Sequence, residues 1–91
     1  MTTALPATHG NVLVVEDEEP VQKLVTVALR RDGYEVTLAS NGKEALDRVG
    51  EATPDLIVSD ITMPEMDGFE LLRQLRGNPA TNAIPVIMRA A

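Results

Sequence analysis

Val12-Leu-Val-Val-Glu-Asp-Glu-Glu-Pro20 runs from four apolar residues into four consecutive acids and a proline. The apolar run is rich in β-branched side chains and suits a short strand buried on both faces. Proline is favoured in the first turn of a helix, and carboxylates are favoured at its N-terminus, where the helix dipole is positive. Val21, Leu24, Val25, Ala28 and Leu29 then recur at the spacing of an amphipathic helix, whose apolar stripe is expected to face the core. Arg30 and Arg31 fall in its last turn, and Gly33 is the expected left-handed stop. A doubly buried strand feeding straight into a helix is the opening unit of a parallel α/β sheet.

The same unit recurs downstream. Glu35-Val-Thr-Leu-Ala39 reads as a second strand, and Asn41 with Glu44 has the spacing of a capping box opening a helix through about Val49. Asp55-Leu-Ile-Val-Ser59 is a third strand that ends on Asp60. A loop carrying Met63-Pro64 leads to Asp67 and Glu70, a second capping-box pair. Phe69, Leu72 and Leu75 are expected to line one face of that helix, which ends near Gly77-Asn-Pro79. Ile84-Pro-Val-Ile-Met88 reads as a fourth strand. The order β-α-β-α-β-α-β predicts a parallel sheet with right-handed crossovers. Residues 1–10 read as a flexible tail, and residues 11–91 as one unit without internal linker or repeat.

Composition narrows the chemistry. The 91 residues include no cysteine, which removes disulfides, thiolate metal sites and cysteine nucleophiles, and the single His9 removes any zinc site built from several histidines. Eight basic against fourteen acidic residues leave a net charge of −6, so a nucleic-acid partner is not expected. No apolar run approaches the roughly 20 residues that span a bilayer, and the first ten residues lack the pattern of a secretory signal. The expectation is a cytoplasmic domain with no membrane contact.

Glu16 and Asp17 follow the first strand directly, and Asp60 closes the third. In a parallel sheet, ligands collect beyond the carboxyl ends of the strands where strand order reverses. If the order is 2-1-3-4, strands one and three are neighbours at that point and the three acids converge. Carboxylates held so close repel, and a hard cation with oxygen ligands reconciles them. Mg²⁺ fits, because it prefers one or two carboxylates together with waters and phosphate oxygens. Taken singly, each acid has a plainer reading: Glu16 to Glu19 as a solvated helix start, Asp60 as a turn residue, Asp67 as a helix cap. Met63 and Met66 read as packing residues. The joint placement of Glu16, Asp17 and Asp60 carries the expectation.

Val12-Leu-Val-Val-Glu-Asp-Glu18 resembles the first strand and acidic pair of the receiver domain of two-component response regulators. Asp55-Leu-Ile-Val-Ser-Asp-Ile-Thr-Met-Pro-Glu-Met-Asp-Gly68 resembles that family's phosphoacceptor strand and loop, and Asn41-Gly42 and Ile84-Pro-Val-Ile-Met88 match as well. The resemblance implies a flavodoxin-like parallel sheet of order 2-1-3-4, with a fifth strand and the last helices missing from this chain. It implies that Asp60 is the phosphoacceptor and that Glu16, Asp17, Asp60 and the Thr62 backbone carbonyl hold Mg²⁺. It further implies that a histidine kinase or phosphotransfer protein is the donor. Such a chain is a phosphoacceptor in signal transduction rather than an enzyme acting on other molecules.

Three parts of the family pattern have no counterpart. The hydroxyl residue that ends strand four aligns with Ala90, the lysine of strand five is absent, and so is the switch aromatic. Lys23 and Lys43 lie in the first and second helices, and Tyr34 and Phe69 sit elsewhere. The alternative is therefore a degenerate or truncated receiver acting only as an interaction module, or a fragment without function. An uncovered fourth strand is expected to favour a homodimer through its edge. Arg89 is expected either to blunt that edge or to reach the carboxylate crevice. A flavin-binding protein is set aside because Glu16 to Glu19 has the wrong charge for a ligand phosphate. A haloacid-dehalogenase-type phosphatase is set aside because Thr62 stands where it needs an aspartate.

Overall fold

β1 (Asn11–Val15) is buried from Val12 to Val15, as its unbroken apolar run requires of a strand covered on both sides. The structure, a computed structural model, describes residues 10–90. The expected tail lies, apart from Gly10, outside the described residues.

β1 is followed by α1 (Glu19–Arg31), β2 (Glu35–Ala39), α2 (Gly42–Glu51), β3 (Leu56–Asp60), α3 (Gly68–Arg76) and β4 (Val86–Arg89). The four strands are all parallel and lie in the order β2-β1-β3-β4. This is the flavodoxin-like arrangement that the resemblance implies, and it brings β1 and β3 side by side, with Val15 opposite Ser59. Leu13, Val15 and Ile57 share one face of the sheet and pack with Ala45 and Val49 of α2 and Leu71 and Leu75 of α3. Alternation turns Val12 and Val14 to the other face, where α1 packs on β1 and β2.

The helix ends follow the local chemistry. The Asn41 side chain accepts from the Glu44 amide at 2.9 Å, and the Glu44 carboxylate accepts from the Ser40 amide at 2.8 Å. Caps of this kind contribute about 1 kcal/mol. Asp67 accepts from the Glu70 amide at 2.9 Å, so Asp67 serves as the helix cap. Gly33 has φ 92°, and the Tyr34 amide beyond it donates to the Leu29 carbonyl at 3.1 Å, closing α1 as expected.

Two stripes differ from the expectation. In α1, Leu24 is 72% exposed and Ala28 is also exposed, while Gln22 is buried. The helix rests on the sheet through Val21, Val25 and Leu29, all only half-buried. Its phase is set by the Gln22 side-chain amide, which donates to the Glu16 carbonyl. In α3, Phe69 is 60% exposed, and the buried positions are Gly68, Leu71 and Leu75. Here the Gly68 amide donates to the Ile61 carbonyl at 2.8 Å, which presses the start of the helix against the end of β3 and turns Phe69 outward.

Candidate functional site

Because β1 and β3 are hydrogen-bonded neighbours, the residues beyond their carboxyl ends meet. Glu16, Asp17 and Asp60 each offer a carboxylate oxygen, and these oxygens all lie within 4.8 Å of one another. Glu16 and Asp60 are buried and Asp17 is exposed, so the cluster has an inner floor and an outer rim. Thr62 is exposed, two residues past Asp60 in the loop that leads to α3. Met63 is buried in the core and Met66 packs against it, so both methionines are packing residues, as expected.

Glu16 is held from several sides. Its amide donates to the Ala39 carbonyl at 2.9 Å, extending the β1–β2 ladder, and its own carbonyl takes the Gln22 amide. One carboxylate oxygen accepts from the Glu18 amide at 3.0 Å. The other accepts from the Arg89 guanidinium at 3.2 Å. Of the two roles weighed for Arg89, the structure thus shows the crevice contact. Burial raises the Glu16 carboxyl above its ordinary 4.5, and the neighbouring Asp60 adds to the rise; the Glu18 amide and Arg89 oppose it.

From pH 4.5 up to the folded value the folded chain holds this proton more tightly than the unfolded chain does, and above that range Glu16 is the carboxylate that Arg89 pairs with. The stability this group contributes is full below pH 4.5 and is lost as pH rises from there through the folded value. In EDTA, Glu16→Gln, a permanent mimic of the protonated acid, should gain in melting temperature over the wild type as pH rises past this range. A difference that does not change with pH would contradict the assignment.

Asp60 is different. The Ser59 hydroxyl donates to its main-chain carbonyl at 2.9 Å, but its side-chain Oδ1 is buried without any hydrogen-bond partner. A buried acceptor left unmade costs about 1–3 kcal/mol, more when charged. The donor set of hard carboxylate oxygens, with one of them unpartnered, fits a hard divalent cation such as Mg²⁺. Glu16, Asp17 and Asp60 are the residues placed to hold it.

Gln22 and Ser59 are positioning residues that sequence reasoning did not single out. No sequence signal marks Gln22, a polar residue beside the apolar stripe of α1, six positions from the carbonyl it holds. Ala90, next after β4, is exposed and offers no side-chain donor. A groove of about 840 Å³ lies between the C-terminal ends of α2 and α3, bordered by Val49, Arg73 and Thr81. Those helix ends are at the far end of the sheet from the acids.

Residues 12–91 match the model of the response regulator receiver domain. The chain is 42% identical over 83 residues to the alkaline phosphatase synthesis transcriptional regulatory protein PhoP of Bacillus subtilis, covering 91% of this chain and 34% of that protein. It is 40% identical over 80 residues to the response regulator MprA of Mycobacterium tuberculosis, covering 88% of this chain and 34% of that one. The chain thus spans about a third of the length of these two curated relatives. Among solved structures, the N-terminal domain of a response regulator receiver protein from Methanoculleus marisnigri superposes with a TM-score of 0.86 at 37% identity, covering 89% of this chain and 66% of that one. The chemotaxis response regulator CheY4 of Vibrio cholerae gives 0.84 at 37% identity, with 89% and 68% covered. No helix among the described residues is long and apolar enough to cross a membrane.

Proposed function

This chain belongs to the response regulator receiver domain family, the phosphoryl-accepting modules of two-component signalling, and from that premise we propose that Asp60 is its phosphoacceptor. The observation that carries this reading is the unpartnered buried oxygen of Asp60 at the meeting point of three carboxylates. The donor is the phosphohistidine of a histidine kinase or phosphotransfer protein. An Asp60 carboxylate oxygen attacks the phosphorus in line, forming an acyl phosphate as the P–N bond breaks, and the departing imidazole takes up a proton. Glu16, Asp17, Asp60 and the Thr62 carbonyl hold Mg²⁺, which when bound supplies neutralisation of the phosphoryl oxygens. The Ser59 hydroxyl and the Gly68 amide fix the backbone that leaves the nucleophile, at the Asp60 and Ile61 carbonyls. The chain acts in the cytoplasm and is modified rather than turning over a substrate. It meets neither nucleic acid nor membrane through this domain.

The test is incubation with Mg²⁺ and a small-molecule phosphodonor, with wild type and Asp60→Asn side by side. Wild type should gain a hydroxylamine-sensitive label that EDTA prevents, and Asp60→Asn should stay at background. Equal labelling of the two would remove Asp60 from the role.

Ala90 favours a second reading, a receiver that keeps its cation but has lost phosphotransfer. Mg²⁺ binding without label, at donor levels that modify another receiver, would select it. Among the described residues β4 has a strand partner on one side only, and this supports pairing with a second copy along its open edge. Light scattering at high concentration should show dimer, and a monomer there would end that part of the proposal.

A further inference from the structure

Arg89 stands at the end of β4, in register with Asp60, and its guanidinium crosses to Glu16. Among the described residues, this is the one ion pair made by a member of the carboxylate cluster. It joins residues 73 positions apart, and it is asymmetric: the Glu16 side chain is 1% exposed, the Arg89 side chain 30%. The Glu16 oxygen that Arg89 touches is the one the Glu18 amide leaves free. That places a fixed positive charge on an oxygen of the same cluster that would receive a divalent cation.

We propose that Arg89 is an internal counter-ion that alternates with the divalent cation on Glu16: it neutralises the carboxylate when the site is metal-free and withdraws when the cation enters. The inference rests on the metal reading given above and adds a competitor to it. Two like charges cannot share one carboxylate oxygen without strong repulsion at this range. A lysine or histidine can relieve such a conflict by losing its proton, but a guanidinium cannot be deprotonated in a protein. Arg89 therefore has to move, and its partly exposed side chain on a long, flexible stem gives it a way out. The arrangement keeps the metal-free crevice from carrying uncompensated negative charge, and it weakens cation binding by the free energy of the pair it breaks. Once withdrawn, the guanidinium is in register with the residue that receives the phosphoryl group, where a forked donor suits phosphate oxygens.

Mg²⁺ titrations of the 91-residue chain, followed by amide NMR, test this without any phosphodonor. Arg89→Ala should bind Mg²⁺ about two- to fivefold more tightly than wild type, the range expected for losing a partly exposed ion pair that opposed it. Arg89→Gln, which keeps a donor but not the charge, should match it. In the wild type, the Arg89 Nε resonance should shift along the same titration curve as the Glu16 and Asp60 amides. That reading needs no variant, so it decides the matter even if a substitution unfolds the chain. Unchanged affinity in Arg89→Ala and Arg89→Gln, or an Arg89 resonance that stays still while the amides move, would overturn the proposal and leave the metal site standing. Failure of both wild type and Arg89→Ala to respond to Mg²⁺ would overturn the metal reading and this inference together.

Discussion

Asp60→Asn should melt higher than wild type in EDTA and gain far less from Mg²⁺. Both effects come from one feature, the crowding of buried Glu16 and Asp60 with Asp17 within 4.8 Å. Neutralising Asp60 relieves repulsion in the metal-free state, by about 1 kcal/mol for carboxylates so close at a partly solvated site. The same change removes one of the charges that attract the cation. At ten times its dissociation constant, a ligand bound only by the folded state adds about 1.4 kcal/mol, which is roughly 6–11 °C for a domain of this size. Wild type should show a shift of that order, and Asp60→Asn should show little. Opposite signs in the two conditions separate loss of a site from damage to the fold, which would lower both melting temperatures. A variant that melts lower in EDTA, or that keeps the full Mg²⁺ shift, would contradict the account of the cluster.

Gly68→Ala should be the most destabilising small substitution near the site. A Cβ at Gly68 would lie 2.3 Å from the Asp60 carbonyl oxygen and 3.1 Å from the Ile61 Cα. Both are main-chain atoms at the end of β3 and just past it, so the clash cannot be relieved by turning a side chain. The Met88 methyl, 2.6 Å away, can move. Relief requires α3 to lift off β3, losing the Gly68–Ile61 hydrogen bond and loosening buried Leu71 and Leu75. The cost is about 3 kcal/mol, or on the order of 10–20 °C in melting temperature. Gly50→Ala is the control: nothing lies within 4 Å of its Cβ, and in the last turn of α2 alanine should add no more than about 0.5 kcal/mol. Equal melting temperatures for wild type and Gly68→Ala would show that α3 is not held in place by this contact.

Much of the site is legible in the chain itself, because its acids are attached to patterns of short range. Glu16 and Asp17 sit where a doubly buried strand must stop, and Asp60 ends a second such run, so placing the strands places the acids. The caps at Asn41 and Asp67 are equally local, each spanning three residues. What the chain does not declare depends on contacts between distant segments. The rotation of α3, which buries Leu71 and exposes Phe69, is decided by Gly68 meeting Ile61. Amphipathic spacing alone allows Phe69, Leu72 and Leu75 as the inner face. Gln22 reads as one more polar residue on a helix until the Glu16 carbonyl is seen beneath it. Arg89 had two open roles, and its contact with Glu16 becomes visible only when β4 is laid beside β3.

In the proposed function Asp60 itself takes the phosphoryl group. The direct measurement is to expose the wild-type chain to Mg²⁺ and a small phosphodonor, trap any acyl phosphate with borohydride, and map the reduced residue by peptide mass spectrometry. A single converted residue, Asp60, is expected, with none found when EDTA is present. Conversion at Asp17 or Asp67 instead, or no conversion under conditions that modify another receiver domain, would contradict it.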